Sequence, residues 1–126
     1  MKMLRNSLLL FCMLVCSSTA HGNVVAFGDS LVDVGNVALA GGFPFPADSP
    51  YFPGQFSNGP VWVQTFASAL GLPATQPSLA GGSNFAFVDA TAAPDPSALV
   101  PSVAEQVTQY LALDYATIST DYHVFW

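Results

Sequence analysis

Three short runs of apolar residues lack the alternation of polar and apolar positions that marks a half-exposed strand. They lie at Val24–Phe27, Asn84–Val88 and Tyr122–Trp126. Continuous apolarity over four or five residues is typical of strands that are buried on both faces, as in a parallel sheet. The pattern therefore predicts three parallel strands in the interior of an α/β fold.

Two stretches between these runs carry apolar residues at helical spacing. In the first, Pro60 stands at the predicted first helical position, where its fixed φ angle is favourable, and Gly71 ends the helix. In the second, Ser102 and Glu105 form a capping box, and the pattern continues to Asp114-Tyr115. The segments 41–58, 73–82 and 91–101 are predicted loops, the first because it is rich in proline and glycine.

The order strand, helix, strand, helix, strand predicts an open parallel sheet with helices on both faces. Ligands bind such sheets at the carboxyl ends of the strands. Ser30 follows the first predicted strand directly, within Gly28-Asp29-Ser30-Leu31. We therefore expect Ser30 at the ligand-binding edge of the sheet.

The N-terminal 20 residues do not fit this pattern. Lys2 and Arg5 give a basic start, Leu8–Cys16 is an unbroken apolar run, and Ser18-Thr19-Ala20 supplies small residues. These features in this order are typical of a secretory signal, and the apolar run is well short of the roughly 20 residues of a membrane span. We predict cleavage after Ala20, a secreted or periplasmic product without a stable membrane span, and one domain over residues 21–126.

Beyond the predicted signal, the chain has eight acidic residues and neither lysine nor arginine. Such a chain is repelled by phosphate backbones and by anionic membrane surfaces, so nucleic acid is not an expected partner. Both cysteines, Cys12 and Cys16, lie in the signal. The predicted domain therefore has no disulfide and no cysteine-based zinc site, and its scattered acids suggest no other metal site.

Ser30 is the candidate nucleophile. A serine hydroxyl becomes nucleophilic when a base, usually a histidine oriented by a carboxylate, removes its proton. The oxyanion that forms on attack needs fixed donors such as backbone amides. A lone Gly-Asp-Ser-Leu is also what a strand-to-loop turn capped by Asp and Ser looks like, so the surrounding sequence has to distinguish the two.

The surrounding sequence resembles the GDSL, or SGNH, hydrolases, and more narrowly their phospholipase, lecithinase and haemolysin-like branch. The resemblance covers essentially all of the predicted domain in ordered segments: Val25–Asn36, Gln55–Val63, Gly81–Ala86, the helix with Val103, Gln106, Val107 and Tyr110, and Tyr122–Trp126. It implies a flavodoxin-like three-layer α/β/α sandwich, present here in part. It also implies hydrolysis of carboxylic esters, including lipids and acetylated carbohydrates, with no metal or organic cofactor.

The resemblance also implies roles for individual residues. Ser30 matches the nucleophile, and its backbone amide would contribute to the oxyanion hole. Gly28, Asp29, Asp33 and Asn36 belong to the same motif. We expect Asp33 and Asn36 to shape the loop rather than to react.

The chain departs from the family pattern at Val88-Asp89, where this branch has a pair of glycines and one glycine amide stabilises the oxyanion. Glycine readily adopts positive φ, which valine does poorly. The carboxylate of Asp89 would repel a developing oxyanion, unless it points to solvent and the backbone amide is kept. Loss of one oxyanion donor costs about a hundredfold to a thousandfold in rate.

A further departure concerns the remaining catalytic groups. The family's Gly-x-Asn-Asp and Asp-x-x-His blocks, which hold the asparagine donor, the base and the orienting acid, do not occur up to Trp126. His21 adjoins the predicted cleavage site, and His123 is better explained as a core or edge-strand residue than as the base. We therefore expect an incomplete hydrolase domain that is weak or inactive alone.

Two alternatives stay open, a non-catalytic secreted module that binds lipid or glycan and the product of a truncated or interrupted gene. Aromatic residues of the first loop could line a binding pocket, but in a proline-rich loop they more often anchor the loop to the body; they are Phe43, Phe45, Tyr51, Phe52 and Phe56. Trp62 and Phe66, at helical spacing, are expected in the core.

Overall fold

The computed structural model of the chain describes residues 22–41, 50–113 and 120–126. The predicted signal, His21, Phe43, Phe45 and the continuation of the second helix to Asp114-Tyr115 lie outside these ranges. The predictions for those residues therefore stay predictions.

Strand β1, Val24–Phe27, is buried along its whole length. Val24 and Ala26 belong to one apolar cluster, and Val25 and Phe27 belong to a second one. Successive side chains of a strand point to opposite faces of the sheet, so the two clusters lie on the two sides of β1. The interpretation of the continuous apolar run as a doubly covered strand is confirmed.

Strand β2, Tyr122–Phe125, pairs with β1 in parallel, from Val24 opposite Tyr122 to Phe27 opposite Phe125. The predicted C-terminal parallel strand is thus confirmed. Its side chains are much less covered than those of β1, and Tyr122 and Phe125 are 46% and 59% exposed. Within the described ranges, β2 has β1 as its only strand partner.

The predicted strand at Asn84–Val88 is wrong as a strand, because the segment pairs with β1 through a single parallel bridge between Ala26 and Asn84. Ala26 N–H donates to the Ser83 carbonyl at 3.0 Å, and Phe85 N–H donates to the Ala26 carbonyl at 2.7 Å. The segment nevertheless runs along β1 on the side away from β2, and β1 is therefore central.

Side chains replace the backbone ladder on both sides of that bridge. The Ser83 hydroxyl donates to the Val24 carbonyl at 2.8 Å. At the other end, Gly28 N–H donates to Oε1 of Gln106 at 2.9 Å, where a regular parallel ladder would use the Phe85 carbonyl. Apolar patterning carries no information on hydrogen bonds in which a side chain takes the place of a backbone partner.

Helix α1, Asn36–Leu39, and a 3-10 helix, Ser78–Ala80, were not predicted. Elements of three or four residues are too short to show a periodicity in the sequence. Both lie in the connections that surround the carboxyl end of β1.

Helix α2, Trp62–Ala69, begins later than predicted. Pro60 precedes the helix and Val61 is its N-cap, with extended backbone and its N–H donating to Oε1 of Gln64 at 3.0 Å. This side-chain bond requires Val61 to stay outside the helix. The predicted end is confirmed, since Gly71 adopts φ 68° just after the C-cap.

Helix α3, Val103–Ala112, has the predicted capping box. The Ser102 hydroxyl accepts a bond from Glu105 N–H, and the Glu105 carboxylate accepts from Ser102 N–H at 2.8 Å. Tyr110 is buried in the cluster of Val25 and Phe27, whereas Val63 and Ala67 of α2 lie in the cluster of Val24 and Ala26. The described chain is thus an incomplete α/β unit with helices on opposite faces of a small parallel sheet.

The aromatic residues divide between the core and the surface. Phe66 packs, as expected, against the apolar cluster that contains Val24 and Ala26. Trp62 was expected in the core but is 39% exposed. It is the first residue of α2 and lies at the rim, where its ring packs against the rings of Trp126 and Phe66. Within the described ranges, no helix combines the length and apolarity needed to cross a bilayer.

Candidate active site

Ser30 lies half-buried in the turn that follows β1. The Asp29 carbonyl accepts bonds from Val32 N–H and Asp33 N–H, and the Asp29 carboxylate accepts one from Leu31 N–H at 3.0 Å. Within the described part of the chain, neither the N–H nor the hydroxyl of Ser30 makes a hydrogen bond. Both groups are therefore available to a ligand.

Gly28 gives the chain room to leave β1 toward this turn. Its φ is 154°, and a Cβ placed there would lie 3.0 Å from the carbonyl oxygen of Trp126 and 3.3 Å from a methyl of Val32. A side chain at this position is strained by the backbone angle and crowded by its neighbours. The glycine thus lets β1 and β2 stay close up to the nucleophile turn.

Asp33 organises the loop that carries Ser30. Its carboxylate, 1% exposed, accepts bonds from the N–H groups of Gly35, Asn36, Val37 and Val88, at 2.7 to 3.2 Å. Burial raises the pKa of the Asp33 carboxyl, and the bonds from these N–H groups act in the opposite direction. Both oxygens are engaged with backbone donors, so the geometry of Asp33 is that of a loop-shaping residue.

Asn36 and Asn84, both fully buried, extend this network. Nδ2 of Asn36 donates to the carbonyls of Asn84 and Ala86, at 2.8 and 2.9 Å. Nδ2 of Asn84 donates to the Val32 carbonyl at 2.8 Å. Together with the bond between Asp33 and Val88, these contacts join the Ser30 loop to the segment that leads to Asp89.

Asp89 occupies, in the segment that follows Asn84, the position that Ser30 occupies after β1. Phe87 N–H donates to the Gly28 carbonyl at 3.1 Å, so Ser30 and Asp89 each lie two residues beyond a bonded pair, at the same edge of the sheet. The N–H of Asp89 donates no hydrogen bond within the described part of the chain. Two unengaged amides thus follow neighbouring extended segments.

The strain expected at Val88-Asp89 falls on the aspartate. Asp89 has φ 63°, the one described non-glycine residue with positive φ, whereas Val88 is buried in ordinary conformation. Aspartate tolerates the left-handed region better than β-branched residues do. The positive φ is therefore found at the aspartate and not at the valine, and the side chain of Asp89 is exposed to solvent, as in the alternative that keeps the backbone amide.

Gln106 belongs to a segment that resembles the family but was not predicted as a site residue, yet it bonds the residue that leads into the Ser30 turn. Its side-chain amide is fully buried and bonds both polar groups of Gly28. A signal was present: Gln106 is a polar residue within the apolar stripe of Val103, Val107 and Tyr110. A polar residue on a buried helix face requires a buried partner.

His123 lies on β2 opposite Val25, with an exposed ring. Its Nε2 lies 3.1 Å from the Tyr110 hydroxyl. The expectation of an edge-strand residue is confirmed, and among the described residues no histidine bonds Ser30. The same ranges hold no cluster of three or more histidine, cysteine, aspartate or glutamate side chains suited to a metal.

Two open clefts adjoin the edge that carries Ser30 and Asp89. One, of about 300 Å³, is mainly apolar and is bordered by Asp89, Val88, Val37 and Val100 among others. The other, of about 220 Å³, begins at Leu31, next to Ser30, and is bordered by three aromatic residues: Phe56, Trp62 and Trp126. Aromatic and apolar walls suit the organic part of an ester.

Known proteins resemble this chain over the segments that build the site. Residues 24–123 match the family described as GDSL-like Lipase/Acylhydrolase. The chain is 36% identical over 99 residues, 79% of its length, to the thermolabile hemolysin of Vibrio parahaemolyticus, and 31% identical over 99 residues, 78% of its length, to the phosphatidylcholine-sterol acyltransferase of Aeromonas hydrophila. It is also 37% identical to acetylajmalan esterase 2 of Rauvolfia serpentina, over an alignment of 86 residues that covers 56% of the chain. The matches span 21%, 29% and 24% of these relatives.

Proposed function

The chain belongs to the GDSL-like lipase/acylhydrolase family, and from this premise we propose that it carries the nucleophile part of a site that hydrolyses carboxylic esters. Ser30 is the nucleophile. Its own amide and the amide of Asp89 are oxyanion donors. The substrate is an ester of a lipid or of an acetylated glycan, and the chemistry uses no metal or organic cofactor.

One observation carries this proposal: among the residues that the structure describes, neither the hydroxyl nor the N–H of Ser30 has a hydrogen-bond partner, at the carboxyl end of the central strand. A hydroxyl that only capped a turn would bond nearby backbone, as the Asp29 carboxylate does with Leu31 N–H. The Asp89 amide at the same edge supplies a second donor. Donors of this kind, held by a rigid network, stabilise the charge that develops in acyl transfer.

Proton removal from Ser30 needs a base that the described residues do not provide. His123 bonds Tyr110 instead, and the carboxylate of Asp33 is occupied by backbone N–H groups. We therefore infer that the chain alone is weak or inactive. An external base should restore part of the activity.

The mainly apolar cleft beside Asp89 supports an acyl group as the part of the substrate bound there. Each buried methylene contributes about 0.8 kcal/mol, so longer acyl chains should bind more tightly until the cleft is filled.

We also infer that the protein is exported, with residues 1–20 as a cleaved signal. The basic start, the short apolar run and the small residues before His21 support this inference. Mass spectrometry of the product from a secreting host tests it. The expected mature N-terminus is His21, and retention of Met1 in the exported product would contradict cleavage.

The nucleophile is tested with the purified 126-residue chain, a p-nitrophenyl butyrate substrate and added imidazole as an external base. We expect imidazole-dependent release of p-nitrophenol above the rate of the Ser30→Ala variant. Ser68→Ala, at an exposed serine of α2, is the matched control and should keep the wild-type rate. Equal rates for the wild type and Ser30→Ala would refute a nucleophilic Ser30.

The aromatic cleft supports a second function, the binding of lipid or glycan without catalysis. Both tryptophans of the chain, Trp62 and Trp126, border this cleft and their rings lie 5.8 Å apart. Intrinsic tryptophan fluorescence therefore reports directly on it. Saturable quenching by an acetylated oligosaccharide or a short-chain lipid that is unchanged in Ser30→Ala would favour this function.

A further inference from the structure

The Gln106 side chain bonds both backbone polar groups of one residue, Gly28, next to the nucleophile turn. Oε1 accepts from Gly28 N–H and Nε2 donates to the Gly28 carbonyl, both at 2.9 Å. Nε2 also donates to the Pro101 carbonyl at 3.1 Å. Since the side chain is fully buried, these bonds are made away from water.

The two hydrogen bonds between the Gln106 side chain and Gly28, here called the Gln106 clamp, take the place of a strand partner. A regular parallel ladder would continue from Ala26 by pairing Gly28 N–H with the Phe85 carbonyl. That donor is given to Gln106 instead, while the Gly28 carbonyl still accepts from Phe87 N–H at 3.1 Å. The ladder therefore stops at Gly28, two residues before Ser30, and Gln106 holds the orientation of the two peptide units that flank Gly28.

The base of the clamp is itself rigid. Gln106 lies in the first turns of α3, just after the capping box of Ser102 and Glu105. One turn further on, Tyr110 packs edge-on against Phe27 with ring centroids 5.6 Å apart. The amide is therefore held between a capped helix and the central strand, with little freedom to follow movements of Gly28.

We propose that Gln106 is a positioning residue of the ester-hydrolase site. By fixing the N–H and the carbonyl of Gly28, it sets the direction in which the backbone leaves β1, and with it the placement of the Ser30 hydroxyl and N–H. The inference rests on the proposed function of Ser30. A misplacement of about 1 Å costs on the order of a hundredfold in rate, so such a clamp has a large effect without contacting the substrate.

The test compares Gln106→Met, which keeps the length of the side chain and removes the amide, with Gln109→Met on the exposed face of α3. Amide resonances and hydrogen exchange are measured on the isotopically labelled chain by NMR. In Gln106→Met we expect the Gly28 and Ser30 resonances to move and the exchange of the Gly28 amide to accelerate, beyond any change in the amides of α2. Unchanged Gly28 and Ser30 amides would overturn the proposal.

Gln106→Glu provides a second arm if Gln106→Met does not fold. When ionised, the new carboxylate can still accept from Gly28 N–H but cannot donate to the carbonyls of Gly28 and Pro101. When protonated, it regains one donor. We expect the Ser30 amide resonance to approach its wild-type position as the pH falls, and a pH-independent resonance would contradict a positioning role.

The kinetic arm separates this proposal from the function on which it rests. With imidazole as the external base, we expect Gln106→Met to lower kcat about a hundredfold with KM nearly unchanged. Absence of turnover in the wild type would count against the proposed function and leave the NMR arms to decide the role of Gln106. Equal kcat values for Gln106→Met and Gln109→Met, with active wild type, would overturn the positioning role.

Discussion

Replacing Asn36 with aspartate changes one atom of a buried network and keeps the shape of the side chain. Oδ1 of Asn36 accepts from the Ser78 hydroxyl and from Leu79 N–H, whereas Nδ2 donates to two carbonyls, those of Asn84 and Ala86. The neighbours on each side determine which atom is nitrogen. In Asn36→Asp, an oxygen faces the two carbonyl oxygens. Among the described residues, the Ala86 carbonyl is then left without a donor, whereas the Asn84 carbonyl keeps its bond from Ser78 N–H at 2.7 Å.

The expected loss follows from these two bonds. A buried acceptor left without a donor, here the Ala86 carbonyl, costs about 1–3 kcal/mol, and a buried charge left without a partner typically costs about 3–5 kcal/mol. We therefore expect Asn36→Asp to lower the free energy of unfolding by about 3–5 kcal/mol at pH 7. A domain of this size is stabilised by about 5–15 kcal/mol, so the loss is a large share of the total.

The loss should shrink in acid. Burial beside two carbonyl oxygens raises the pKa of the new carboxyl in the folded state above its value of about 3.9 in the unfolded state. The folded variant therefore binds a proton more tightly than the unfolded one, and its stability falls as the pH rises between these two values. Relative to the wild type at the same pH, Asn36→Asp should be least destabilised near pH 4, where a protonated oxygen again donates to one carbonyl.

Urea unfolding followed by circular dichroism measures the effect. With a slope of about 2 kcal/mol per molar urea, the midpoint should fall by about 2 M at neutral pH. The matched control is Asn58→Asp, the same substitution at an exposed asparagine, for which we expect a change within about 0.5 kcal/mol. Equal midpoints for the two variants would refute the role assigned to the Asn36 amide.

Three further substitutions test the backbone at Asp89 and the N-terminal cap of α3. Asp89→Val should cost about 1–2 kcal/mol relative to Asp89→Gly, because a β-branched residue is strained at φ 63°; a urea midpoint for Asp89→Val at or above that of Asp89→Gly would contradict the left-handed backbone. Ser102→Ala should cost about 0.5–2 kcal/mol through loss of the N-cap of α3, and thermal unfolding shows whether it does. Hydrogen bonds from the Ser102 hydroxyl and N–H lower the pKa of Glu105 below its ordinary 4.5. The stability that Glu105 contributes should therefore be present above pH 4.5 and lost as the pH falls further, and this part of the acid dependence should be missing from melts of Glu105→Gln.

The apolar pattern of the sequence predicted the elements whose stability comes from burial. β1 is recognisable because all four of its residues are covered from both sides, and α3 because Ser102 and Glu105 form a local capping motif. The start of α2 was missed, since it depends on a bond between the Gln64 side chain and Val61 N–H. Apolar spacing alone gives no information on such a bond.

At the site, the sequence pointed to Ser30 and to the altered position Asp89, and the structure brings both to one edge of the sheet. It did not predict that the left-handed conformation falls on Asp89 rather than on Val88. Nor did it predict the contact of Gln106 with Gly28, which joins residues 78 positions apart. Long-range polar contacts of this kind depend on tertiary structure, and a single sequence shows them only as a polar residue in an apolar stripe.

The parallel pairing of β1 with β2 also determines when this chain can fold. The two strands are joined by contacts such as that between Asn23 N–H and the Asp121 carboxylate, which are 98 residues apart. Closing a loop of this length costs about 4 kcal/mol of chain entropy before any strand contact forms. Since β1 is synthesised long before β2, its edge on the β2 side stays unpaired until Tyr122–Phe125 have been added, which favours slow folding and makes the nascent chain dependent on protection until then.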